Sequence, residues 1–156
     1  MQKLLITFGT RPLAIRLSKL MQRKYEVILS TSEEVPSVLQ DKYLHIPTGT
    51  NPTFSHEVLK LALDHNVPFI LPLGVAEVQS ISESIQLFEE YGIRVICPSK
   101  NELLEMEVLF DPIKELALSV VLDHIDLISG QSVAYAVNGL GVVSDSGEEF
   151  VLAVLK

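Results

Sequence analysis

The chain has 156 residues, 47% of them apolar, and 12 Lys and Arg against 20 Asp and Glu give it a net charge of -8. That length is one ordinary domain able to bury a core without disulfides or metals, and that charge excludes a nucleic-acid surface or an anionic membrane as its partner. Mean hydropathy is high at +0.32, yet no apolar run approaches the ~18 residues of a membrane span, and the run after Met1-Gln2-Lys3 is too short for a secretory signal; the expected location is the cytoplasm.

Residues 4–8, 27–29, 69–71 and 95–97 are short, continuous apolar runs. Strands buried on both faces of a parallel sheet read this way, whereas half-exposed strands alternate. Helices are expected between them. The first spans residues 12–23, with Pro12 in a first turn whose amides are unpaired anyway and Leu13, Leu17, Leu20 and Met21 on one stripe. The second begins near Thr53 or Ser55 and buries Val58, Leu59, Ala62 and Leu63. The third runs from about Ala76, buries Val78, Ile81, Ile85 and Phe88, and stops at Gly92, which accepts a left-handed cap. Right-handed crossovers then give an α/β fold, a three-layer doubly wound (Rossmann-like) parallel sheet over residues 1–99.

After Ser99 the alternation changes. Ser99 with Glu102 forms a capping-box signature for a helix to about Phe110, and Asp111-Pro112 opens a second helix to about His124 with Ile113, Leu116, Ala117 and Val120 inward. Residues 133–137, 140–144 and 150–155 read as strands, the last two joined across Asp145-Ser146-Gly147 as a C-terminal β-hairpin. The expectation is therefore one domain over residues 1–156, a parallel core followed by two helices and a hairpin at 100–156. The lone Cys97 lies in an apolar run and reads as a small buried hydrophobe.

Three glycine turns carry the candidate chemistry. Gly9-Thr10-Arg11 joins a strand to a helix, where free amides and the positive dipole end face any anion and Arg11 adds a fork of donors. Pro47-Thr48-Gly49-Thr50-Asn51-Pro52 offers hydroxyl and amide groups, although Gly, Asn and Pro are also what turns require. Pro72-Leu73-Gly74-Val75-Ala76-Glu77 places a carboxylate in a helix's first turn, where it either complements the dipole or grips a ligand amine or hydroxyl. The ligand-binding set is thus Gly9, Thr10, Arg11, Gly49, Thr50, Asn51, Gly74 and Glu77, expected to line one cleft for a small anionic ligand. His56-Glu57 lacks the second His of a zinc-protease helix, Gly139-Leu140-Gly141 lacks a third glycine and a following helix, and Asp123-His124-Ile125-Asp126 reads as a solvated helix end. No catalytic residue, metal site or cofactor is assigned.

Residues 4–99 resemble the N-terminal, pre-ATP-grasp domain of ATP-grasp ligases, above all the carbamoyl-phosphate-synthase-like group. The resemblance rests on Leu4-Leu5-Ile6-Thr7-Phe8-Gly9, on Phe69-Ile70-Leu71-Pro72-Leu73-Gly74-Val75-Ala76-Glu77, and on Leu87-Phe88-Glu89-Glu90-Tyr91-Gly92-Ile93-Arg94-Val95-Ile96-Cys97-Pro98-Ser99. It implies a domain that contributes to an acceptor-substrate site while a following domain holds nucleotide and magnesium. Lys100-Asn101-Glu102 stands where that family continues Asn-Asp-Lys, so the expected function is binding of a small anionic metabolite or a protein partner, without ligation by this chain alone. A separate ATP-grasp protein is the partner that would complete a split ligase. Phe8-Gly9-Thr10-Arg11-Pro12-Leu13-Ala14-Ile15-Arg16 is similar to the opening of non-hydrolysing UDP-N-acetylglucosamine 2-epimerases, which implies UDP-sugar binding with Arg11 near the UDP. A non-enzymatic scaffold subunit is the third reading. Self-association as a homodimer is expected from the apolar content, with the 133–155 tail as the contact surface.

Overall fold

The computed structural model describes residues 1–144 and 149–156. It begins with β1 (Gln2–Ile6), α1 (Pro12–Met21), β2 (Tyr25–Thr31), a 3-10 helix (Ser37–Lys42), β3 (Tyr43–His45), α2 (Phe54–Asp64), β4 (Phe69–Leu71), α3 (Val75–Ser82), α4 (Ile85–Glu90) and β5 (Arg94–Val95). These strands form a parallel five-stranded sheet in the order β3-β2-β1-β4-β5. The chain thus winds outward from β1 to one side, then restarts at β4 on the other. Leu4, Leu5, Ile6, Ile70 and Leu71 are fully buried, as a sheet covered on both faces requires. Leu5, Ile70 and Val95 pack under α2, α3 and α4; Leu4, Ile6 and Leu71 pack against α1 and strands of a second sheet.

That second sheet holds most of the corrections. After α5 (Lys100–Glu105) come β6 (Val108–Phe110), β7 (Leu118–Leu122), β8 (Ile125–Asp126), β9 (Gly139–Val143) and β10 (Phe150–Val154), ordered β6-β10-β9-β7-β8. The capping box is present, with Ser99 Oγ accepting from Glu102 N at 3.2 Å and Glu102 Oε1 accepting from Ser99 N at 2.9 Å. The helix it starts nevertheless ends at Glu105, because residues 108–110 are drawn into parallel pairing with β10. The helix expected over 112–124 does not form. Its β-branched Val120 and Val121 pair with Leu140 and Gly139 of β9 instead, and Asp123-His124, expected to close a helix, makes a two-residue turn with φ of 51° and 65° between Leu122 and Ile125. Two successive positive φ values are the signature of a type I′ hairpin turn.

Residues 133–137 are not a strand; only Ser132 bridges to Ile125. β9 and β10 do pair antiparallel from Phe150↔Val143, while the Asp145-Ser146-Gly147 turn expected between them lies outside the described residues. β10 sits between β6 and β9, so it is no free edge, and the strand at the centre of the expected dimer surface is occupied within the chain. Among the parallel elements, β3 was not anticipated, and the third predicted helix is two, interrupted at Glu83 and Ser84. Gly92 has φ of 75°, as its capping role predicts. Among the described residues no helix is long and apolar enough to cross a membrane.

Candidate functional site

Three loops converge at the carboxyl ends of β1, β2 and β4. β1 runs out through Thr7 into Phe8, whose φ of 51° is a conformation a bulky residue adopts only under constraint from its surroundings. Gly9 then lies against β2, its amide bonded to Ser30 O at 2.8 Å; a Cβ there would stand 2.8 Å from Leu29 Cβ. β4 leads through Pro72 and Leu73 to Gly74, the N-cap of α3. Leu155 is stitched onto this turn, with Val75 N donating to Leu155 O and Leu155 N donating to Leu73 O, both at 2.8 Å. The third loop brings Gly49 against the first turn of α3 so closely that a Cβ would stand 2.5 Å from Glu77 N and 2.8 Å from Ala76 C. Only glycine permits that approach.

Glu77 is 1% exposed. Its Oε1 accepts from the hydroxyl of Thr7 at 2.5 Å and from Gly74 N at 3.0 Å, and Thr7 Oγ1 accepts in turn from Leu73 N at 2.8 Å. One buried side-chain chain thereby locks the end of β1 to the start of α3. Glu77 Oε2 is also buried and has no hydrogen-bond partner among the described residues. Burial pushes the Glu77 carboxyl above its ordinary value, against the opposing pull of the Thr7 and Gly74 hydrogen bonds and the nearby Leu73 amide; desolvation penalises the charged form, and donors near it favour that form.

Gly49, Thr50, Gly74 and Glu77 line a single pocket of about 160 Å³. Sequence reasoning placed these four together. The same pocket is also lined by Phe8, Ser32 and Lys156, none of which was a candidate. Phe8 had a signal in its place before Gly9, whereas Lys156 had none, since only the β10 pairing brings it to β4. Gly9, Thr10, Arg11 and Asn51 do not line the pocket. Arg11 Nε is bonded to Glu33 Oε1 at 3.0 Å in a half-exposed pair, with its guanidinium 5.4 Å above the Phe8 ring. Thr10 Oγ1 donates to the same carboxylate at 3.2 Å. Asn51 Oδ1 accepts from Thr53 N and Thr53 Oγ1, both at 2.9 Å, an Asx turn that leads the chain into α2.

No protein-family model matches the sequence, and no curated protein matches it. Geometry and chemistry therefore carry the reading. Beside the first pocket lies a larger one of about 430 Å³, past the ends of β2 and β3, lined by Glu33, Glu34, Tyr43 and His45. Two carboxylates make it a poor place for a phosphate. His56 and Glu57 are on the solvent side of α2, the Gly139–Gly141 stretch lies within β9, and Asp123 pairs with Arg94 through two 2.8 Å bonds. No group of three or more His, Cys, Asp or Glu among the described residues is placed to hold a metal.

The electrostatics of the small pocket favour an anion on one side. Gly74 N and Val75 N are already bonded and Gly49 lies against Glu77 N, which leaves the Ala76 amide in the first turn of α3, where a helix has no carbonyl of its own to offer. Lys156 is among the lining residues, with its ammonium turned to the Phe110 ring, 5.2 Å from the centroid. The hydroxyls of Thr48 and Thr50, 3.2 Å apart, complete the rim.

Proposed function

We propose that this chain is a ligand-binding domain of the pre-ATP-grasp type, doubly wound and Rossmann-like in its layering, that holds a small anionic metabolite and does not ligate on its own. The observation that supports this is the convergence of Gly49, Thr50, Gly74 and Glu77 on one pocket where the sheet order turns back between β1 and β4. Open α/β sheets place their ligands at such a switch point, outside the carboxyl ends of the strands. The pocket volume of about 160 Å³ suits a small carboxylate. Arg11, the residue the epimerase resemblance assigns near UDP, is paired with Glu33.

An amide-resolved NMR titration with propionate and, separately, inorganic phosphate tests this reading. Shifts confined to residues 48–50 and 74–77 with at least one of the two support it. Shifts elsewhere, or none at ~10 mM, the weak end of useful affinity, overturn it. Calorimetry with Mg-ATP is expected to show no binding, because the resembled family holds nucleotide in a different domain; micromolar binding would overturn that part.

A further inference from the structure

Charge is unevenly spread along this acidic chain. Residues 1–24 hold Lys3, Arg11, Arg16, Lys19, Arg23 and Lys24, half of the chain's 12 Lys and Arg, and none of its 20 Asp and Glu. Within α1, Pro12, Ile15, Arg16, Lys19 and Leu20 fall at the i, i+3, i+4, i+7, i+8 positions of one stripe, opposite the buried Leu13, Ala14, Leu17 and Met21. These five line a groove of about 460 Å³, and Arg23 continues the stripe into the turn after the helix. Ile15 and Leu20 are 42% and 41% exposed. Lys19 complements the helix dipole in the last turn, and Arg16 Nη2 donates to Leu116 O at 2.7 Å. Neither role uses a carboxylate or accounts for the two apolar side chains between the cations. Among the described residues none of Arg16, Lys19 and Arg23 is in an ion pair, although the chain has carboxylates in excess.

We infer that this face of α1 docks an acidic amphipathic segment of another protein, its carboxylates on Arg16, Lys19 and Arg23 and its apolar side chains against Ile15 and Leu20. The inference goes beyond the ligand reading, since none of these residues lines the Glu77 pocket. Charge complementarity selects the occupant. A second copy related by a two-fold axis through α1 would set the same cations against one another, and a copy docked head to tail would leave an open chain. A nucleic acid or an anionic membrane presents negative charge over a wide area and would meet the acidic remainder of the molecule. The exposed Glu26 follows Arg23 by three residues, and the exposed Glu115 adjoins the Leu116 that Arg16 holds. A short segment meets the stripe alone, about 12 Å from Pro12 to Leu20 at 1.5 Å per residue. Repulsion from more distant carboxylates is screened beyond about 8 Å at physiological salt.

A synthetic peptide of Glu, Leu and Ala patterned as an acidic amphipathic helix is the probe, with a scrambled peptide of the same composition as its control. Calorimetry is expected to give a dissociation constant below about 100 μM for the patterned peptide, rising with salt, and amide shifts confined to residues 12–24. Lys19→Glu combined with Arg23→Glu should weaken binding about tenfold or more, because attraction becomes repulsion at two positions. Leu20→Ser should weaken it several-fold. Both variants should keep the wild-type urea midpoint, since the altered side chains are on the surface; if the charge-reversed variant does not fold, Leu20→Ser decides. Equal binding of the scrambled peptide, shifts away from α1, no binding below about 1 mM, or indifference to both variants overturns the inference. Tighter binding of duplex DNA or of phosphatidylserine-containing vesicles overturns it in favour of those partners, and self-association in light scattering that the charge reversal abolishes overturns it in favour of a second copy.

Discussion

Thr7→Val removes one oxygen and leaves the shape of the side chain in place, which makes it a direct test of the buried chain at the end of β1. Thr7 is fully buried. Its hydroxyl donates to Glu77 Oε1 at 2.5 Å and accepts from Leu73 N at 2.8 Å. Without it, Leu73 N–H loses its partner, which costs about 1–3 kcal/mol, and Glu77 loses a bond of the charged class worth about 1.5–3 kcal/mol. The added methyl recovers part of this, so a net loss of about 3 kcal/mol is expected. For a chain of 156 residues that is roughly 6–12 °C in melting temperature. Urea unfolding of Thr7→Val and Thr7→Ser supplies the contrast. Packing alone ranks valine above serine, because serine leaves a methyl-sized void at about 1 kcal/mol; the hydrogen bonds reverse that order. A valine variant at least as stable as the serine variant would refute the reasoning.

Gly49→Ala is expected to lose about 2–3 kcal/mol and all probe binding, since its Cβ would meet backbone atoms of Ala76 and Glu77 that are unable to rotate away; an unchanged urea midpoint would contradict the close approach. The pH dependence of Glu77 has a definite sign. Its folded value is raised above 4.5, so the folded state holds the proton more tightly, and the wild type should gain stability relative to Glu77→Gln as pH is lowered from 8, with the gain complete below about 4.5. Asp123 acts in the opposite sense and in another window, because Arg94 lowers its value below 3.8 and its stabilisation is lost only as pH falls through that lowered value; a flat or reversed difference between wild type and Glu77→Gln from pH 8 to 4.5 counts against the burial of Glu77. The Cys97 thiol, pushed up to about 12 by burial, should resist a thiol reagent at pH 8 until the protein is unfolded, which a timed alkylation with and without denaturant measures.

The first half of the chain was legible because its signals are local and redundant. A run such as Leu4-Leu5-Ile6 admits one environment, and Pro12 and Gly92 mark helix ends by their own backbone restrictions. The second half failed where a local signal met a non-local one. Ile113, Leu116, Ala117 and Val120 have helical spacing, yet Val120 and Val121 gain more as pleated neighbours of Leu140 and Gly139. β-branched side chains suit that surface, and short segments yield their propensity to tertiary pairing. The same competition shortened α5, since Val108 pairs with Leu152, 44 residues on in sequence.

The site divides along the same line. Gly49, Gly74 and Glu77 were readable because each lies in a turn whose residue types announce it, and strand order then forces those turns together. Arg11 has a partner that its local sequence does not show. A guanidinium beside a glycine turn suits an anion, but it suits Glu33 equally well, and Glu33 sits at the end of the neighbouring strand β2. Lys156 reaches the pocket only because Leu155 bridges to Gly74, a contact between residues with no local relation. What no sequence pattern shows is the satisfaction of individual atoms. Thr7, at the end of an ordinary apolar strand run, decides which oxygen of Glu77 is occupied and which is buried without a partner.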